Sequence, residues 1–137
     1  MKFPYYKFST RDPNRPFVAR PYIPVYLATD SRRTESPYLA LLDSGSDTVM
    51  FPTEVATKIG IDDIRKGHFA PSIGIAGQTA DVYYHDVFVQ VLGDATPVPV
   101  QVGFSDTVVV PILGRSFFRH YRVVVFAEAK EEVELRS

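Results

Sequence analysis

The sequence predicts a mostly β, single-domain protein with one or two short helices. Eleven prolines and 13% aromatic residues disfavour long helices and supply side chains suited to a pleated, half-buried surface. Short runs rich in Val, Ile, Tyr and Phe recur between turn-forming residues along the chain. At 137 residues the chain can bury one core and is too short for two. A single domain over residues 1–137 is therefore expected, with residues 1–20 as an N-terminal extension that covers the core or an interface.

The elements follow in order. Met1-Lys2-Phe3-Pro4-Tyr5-Tyr6-Lys7-Phe8 is too apolar for a free tail, yet lacks the sustained apolar stretch of a signal peptide. Tyr22 to Leu27 reads as a strand in which Pro24 favours an edge position, and the polar stretch Thr29 to Ser36 joins it to a second strand, Tyr38 to Leu42. That second run is continuously apolar, which predicts cover on both faces. Pro52 to Gly60 predicts one short helix, with Thr53 as N-cap, Val55 and Ile59 on one face and Gly60 as the stop. Ile73-Gly74-Ile75-Ala76-Gly77-Gln78 lies between Pro71 and the apolar run Val82 to Leu92, and predicts a hairpin with a glycine-bearing tip. Val98 to Phe104 alternates as a strand should, and Val108 to Leu113 reads as a further apolar strand entering Gly114. Arg115 to His120 suits a helical turn or two. Tyr121 to Phe126 with Val133 to Leu135 fits a closing hairpin, although Ala127 to Glu134 is also rich in helix formers.

Composition removes several function classes. Fifteen basic and sixteen acidic residues are intermixed for a net charge of −1, which leaves no electrostatic footprint for nucleic acid or an anionic membrane. With no cysteine, disulfides, thiol nucleophiles and Cys-based metal sites are excluded. His68, His85 and His120 stand far apart and in no metal-ligand spacing. No run approaches the length that spans a bilayer, so a cytoplasmic protein without membrane or nucleic-acid partners is expected.

The chemistry concentrates in Leu41-Leu42-Asp43-Ser44-Gly45-Ser46-Asp47. An apolar run buries and a Ser-Gly turn exposes, so Asp43 is held where core meets solvent. Asp, Ser and Gly are also ordinary turn formers, and this stretch alone leaves both readings open. A second stretch, Val108-Val109-Val110-Pro111-Ile112-Leu113-Gly114-Arg115, repeats the plan of an apolar pair running into Gly. Together these motifs, with the helix and the glycine-bearing hairpin between them, resemble the retroviral-type, or retropepsin-like, single-lobe aspartic proteases over about residues 20 to 126.

The resemblance implies a closed acid-protease β-barrel with Asp43 as the catalytic residue. It implies that Ser44 and Gly45 support the active-site loop together with Gly114, and that Asp47 pairs with Arg115 as a partly buried brace. Ile73, Gly74, Ile75, Ala76 and Gly77 would form the flap that closes over bound peptide. Hydrolysis by carboxylates needs two of them on one water, and the chain offers one Asp-Ser-Gly; a twofold homodimer would bring Asp43 against its copy. The expected function is an aspartic endopeptidase acting on extended polypeptide, with no metal or organic cofactor required. Val49, Ile73, Ile75, Val110 and Ile112 are candidate pocket walls, each open to the alternative of plain core. A catalytically idle dimerisation or peptide-binding module of the same fold is the competing reading. A phosphate loop lacks its Gly-Lys-Ser/Thr, a nucleic-acid-clamping Gly-X-X-Gly lacks basic residues, and a Ser-His-Asp triad lacks its Gly-X-Ser-X-Gly elbow.

Overall fold

A computed structural model describes residues 1–137. The chain opens with β1 (Lys2–Pro4) and a hairpin of β2 (Tyr6–Ser9) and β3 (Phe17–Arg20), followed by β4 (Tyr22–Ala28), β5 (Tyr38–Leu42) and β6 (Val49–Pro52). Helix α1 (Thr53–Lys58) and a 3-10 turn at Ile64–Lys66 lead to β7 (His68–Phe69). Then come β8 (Ser72–Ile73), β9 (Thr79–Ala80), β10 (Tyr83–Val91), β11 (Val98–Ser105) and β12 (Ile112–Leu113). Helix α2 (Arg115–Phe118), β13 (Val123–Ala127), a 3-10 turn at Glu128–Lys130 and β14 (Glu132–Arg136) complete the chain. No helix is long and apolar enough to cross a membrane.

Six strands close on themselves in the order β4-β5-β12-β6-β11-β10, because β10 pairs with both β11 and β4. Closure removes the edges that a twisted sheet would otherwise expose, leaving β7 as a short addition beside β10. The barrel interior is one apolar cluster that includes Ile23, Val25, Leu27, Phe51, Val89, Phe104 and Leu113, with Val55 and Ile59 of the α1 segment and Phe117 of α2 packed into it. Val55 and Ile59 are buried together as their spacing predicts, and the chain leaves the helix at Gly60 in the left-handed region.

Four local expectations need correction. Strand β5 is not covered on both faces: Ala40 and Leu42 are buried, while Leu39 on the opposite face is exposed. Pro24 is not on an edge strand, since β4 lies between β5 and β10. Its carbonyl accepts from Leu92 N at 3.0 Å, just past the last β4–β10 pair at Val91, so the missing N–H faces the place where that ladder ends. Thr53 does not cap α1, whose N-cap is Pro52; its hydroxyl instead donates to Asp106 Oδ1 at 2.6 Å. Of the run Val108 to Leu113 only Ile112–Leu113 is strand, because Pro111 interrupts the ladder and Val109 turns out to solvent.

A second sheet, ordered β1-β14-β13, joins the two ends of the chain. Phe3 packs on the core, Tyr5 is buried, and Tyr5 N donates to Glu131 O at 2.7 Å. The tail takes the hairpin conformation, and the helix-forming residues within it yield only the 3-10 turn at its bend.

Burial, reinforced by a hydrogen bond from its hydroxyl to Glu128 Oε2 at 2.9 Å, pushes the Tyr5 phenol up to about 12. Burial raises Tyr121 to about 12 as well. Each phenol therefore favours folding fully below about pH 10, and that contribution drains away as pH rises toward 12, where the unfolded chain has already released the proton. Thermal unfolding followed from pH 9 to 12 should show Tm falling above pH 10. The fall should be less steep in Tyr5→Phe; an identical slope in the variant would mean that Tyr5 does not titrate with unfolding.

Candidate active site

The two sequence motifs are hydrogen-bonded neighbours. Strands β5 and β12 run parallel with Leu41 opposite Ile112 and Leu42 opposite Leu113, so that Gly114 follows in step with Asp43. Asp43 N donates to Leu113 O at 3.0 Å, and Leu42 N to Pro21 O at 3.0 Å. The strand therefore delivers Asp43 to a fixed point at the barrel rim. There its Oδ1 accepts from Gly45 N at 2.9 Å and its carbonyl from Ser46 N at 3.2 Å, an Asx turn that leaves Asp43 half-buried and Ser44 and Gly45 exposed.

Helix α2 holds this loop from the other side. It has no side-chain cap; Arg115 N donates to Ser46 O at 2.8 Å and Ser116 N to Asp47 O at 3.0 Å, so loop carbonyls satisfy its free amides. Gly114 is required by proximity. A Cβ there would overlap the carbonyl oxygens of Thr48 and Ser46, both backbone atoms.

Asp47 and Arg115 form the expected ion pair, and Arg115 Nη1 also reaches Ser44 O at 3.4 Å. The pair is not partly buried: 57% of the Arg115 side chain and 78% of Asp47 are exposed. Solvent screens such a pair, which limits it to about 0–1 kcal/mol and gives the structural role to the backbone hydrogen bonds. The Ser44 hydroxyl makes no hydrogen bond within the chain.

Ile73 to Gly77 form the predicted hairpin at a distance from this cluster in sequence and in bonding. Gly74 N donates to Gln78 O at 2.8 Å and Gly77 N to Gly74 O at 2.9 Å, with Gly77 at φ 81°. Ile73 and Ala76 are exposed and the tip residue Ile75 has no cover at all. No hydrogen bond runs from Ile73–Gly77 to the Asp43 loop.

Among the candidate pocket walls, Val49 is core: it is fully buried and pairs with Val102. Its neighbour Met50 takes the other face, half-buried and opposite Ile112. Alternation could have found this, because Phe51 must point inward and so must Val49 two residues before it. Val110 and Val109 are exposed on the loop that precedes β12. Sequence reasoning also missed Tyr84, whose hydroxyl donates to Thr48 Oγ1 at 3.1 Å across 36 residues. Nothing local in the sequence signals that contact.

A family model described as aspartyl protease matches residues 31–117. The chain belongs to the aspartyl protease family. Among solved structures, a retropepsin-like aspartic protease from Rickettsia conorii superposes with a TM-score of 0.62 at 12% identity, covering 97% of this chain and 88% of that one. EIAV protease, solved in complex with the inhibitor HBY-793, superposes with a TM-score of 0.55 at 19% identity, covering 81% of this chain and 92% of that one. Comparison with curated protein sequences returns no match. At these identities the superpositions establish the fold, a retropepsin-like closed barrel. With the family they assign a protease-type, hydrolytic function to the chain.

Gly114→Ala should be far more damaging than loss of the ion pair, costing about 1–3 kcal/mol or more as backbone is pushed aside. A double-mutant cycle of Asp47→Ala and Arg115→Ala in urea unfolding should give a coupling below about 1 kcal/mol. A larger coupling would show that the pair is shielded from solvent in the working protein.

Proposed function

We propose that this aspartyl protease family member is an endopeptidase that acts as a twofold homodimer, with Asp43 of each copy sharing one water. The observation that carries this reading is the single Asp43, presented half-exposed at the barrel rim on a loop with exposed Ser44 and Gly45. One carboxylate must take the water's proton while a second, protonated, supports the carbonyl oxygen of the peptide. An isologous contact centred on Asp43-Ser44-Gly45 supplies the second from the same residue of the other copy. Carboxylates so placed cannot both ionise and hold a proton in common, as in aspartic proteases generally.

Exposure supports the same placement. Ile75 is entirely exposed on the hairpin expected to close over bound peptide, and Val109, 84% exposed, stands next to the candidate pocket wall Val110. The free Ser44 hydroxyl is available to a partner loop. Substrate would lie extended between the paired Asp43 residues and the two flaps, bordered by Met50 and Ile112.

Asp43→Asn should fold and associate as the wild type does and lose cleavage of an unfolded protein such as denatured casein, because the amide cannot act as base. Retained cleavage would remove Asp43 from the mechanism, whereas substrate binding without cleavage by both proteins would identify an idle binding module. Specific activity should also fall on dilution through the dissociation constant of the dimer measured by ultracentrifugation. Constant specific activity in a demonstrated monomer would rule out the shared site.

A further inference from the structure

The hairpin of β8 and β9 has almost nothing to hold it at its tip, so its position is decided at its root. Ile75 is fully exposed, and the hydrogen bonds of residues 73–78 are made within the hairpin. The root is different. Val82 is fully buried and its carbonyl accepts from Ala70 N at 2.9 Å; Tyr83 and Tyr84 then pair with Phe69 and His68 of β7. Five residues separate Val82 from Ala76, with Thr79–Ala80 in strand and Gly77 in the turn, a lever of about 15 Å. A small displacement at the root is thus a large one at the tip.

Tyr84 ties that root to the loop that carries Asp43. Its phenol passes over Gly103, its partner across the β10–β11 ladder, which in turn neighbours Met50 on β6. A Cβ on Gly103 would overlap Val82 and stand 2.9 Å from Tyr84 Cε1 and 3.0 Å from Cζ, so the ring occupies space that only glycine leaves free. At the far side Tyr84 Oη donates to Thr48 Oγ1 at 3.1 Å in a partly buried bond. Thr48 is itself fixed: its carbonyl accepts from Ser46 Oγ at 3.0 Å and lies against Gly114. The path from hairpin root to Asp43 loop is therefore continuous through one side-chain bond.

We propose that Tyr84 is a positioning residue, and that the Tyr84–Thr48 hydrogen bond sets the reach of the Ile73–Gly77 hairpin over bound polypeptide. The inference rests on the endopeptidase reading of Asp43. Tyr84 touches neither the reacting atoms nor the expected path of the substrate; it limits the sweep of the element that covers the substrate. Loss of the bond weakens closure in ground state and transition state alike, which raises KM and leaves kcat nearly unchanged.

Tyr84→Phe removes the hydroxyl and keeps the ring over Gly103; Thr48→Val removes the acceptor and keeps the shape. With a quenched-fluorescence peptide taken from a casein site cut by the wild type, each variant should raise KM about 2- to 12-fold, the worth of one hydrogen bond. The kcat should stay within about twofold, and the double variant should be no worse than either single one. Amide exchange over residues 72–80 should quicken in both variants while residues 87–91 stay protected. Wild-type KM together with wild-type exchange in both variants would overturn the proposal, as would a loss confined to kcat. Should the wild type cleave nothing, the endopeptidase reading fails, and the exchange measurement still decides whether the bond restrains the hairpin.

Discussion

The parallel register of Leu41-Leu42 against Ile112-Leu113 is the constraint on which the rest of the site depends. Parallel neighbours cannot be joined by a tight turn, so the chain between them must travel, and here it builds β6, α1, the glycine-tipped hairpin, β10 and β11 on the way. Those elements close the barrel. The same register sets Gly114 in step with Asp43, and the amides that begin α2 then fall under the carbonyls of Ser46 and Asp47. Position and support of the carboxylate thus come from one pairing, through backbone hydrogen bonds.

Side-chain electrostatics contributes less than its appearance suggests. Arg115 meets Asp47 and also reaches the carbonyl of Ser44, yet both partners stand largely in water. Their contact adds orientation to a loop already fixed by Asp43 N, Arg115 N and Ser116 N. Gly114 is the less conspicuous residue and the more demanding one, because what it accommodates is main chain and cannot swing aside.

Legibility in the sequence followed the range of the interaction. Asp43-Ser44-Gly45, the helix ending at Gly60 and the hairpin tip at Gly74–Gly77 are local, and residues a few positions apart suffice to announce them. Strand β5 departs from its sequence pattern because a continuous apolar run looks buried on both faces, whereas Leu39 sits on the outer wall of a barrel. Thr53 fits a cap on local grounds, yet its hydroxyl is claimed by Asp106, 53 residues away. The pairing of the two apolar-Gly motifs and the Tyr84–Thr48 bond are long-range consequences of closure; a family resemblance hints at the first, and nothing in the sequence hints at the second.

The distribution of uncovered apolar surface gives this architecture its direction. A barrel that buries Phe51, Phe104 and Phe117 completely has no shortage of interior, yet several large apolar side chains stay exposed, and of these Ile75 and Val109 stand furthest in water. Covering a branched aliphatic side chain is worth about 1.5–3 kcal/mol, so each such residue holds stabilisation that the isolated chain does not gain. Both stand on loops, Ile75 on a hairpin with its own internal hydrogen bonds and Val109 just before Pro111. In the proposed dimer that ungained burial would become a driving force, since a second copy and an extended peptide can cover these residues. Covering them would also assemble the second carboxylate that one chain lacks, so association, substrate enclosure and chemistry would draw on the same exposed side chains.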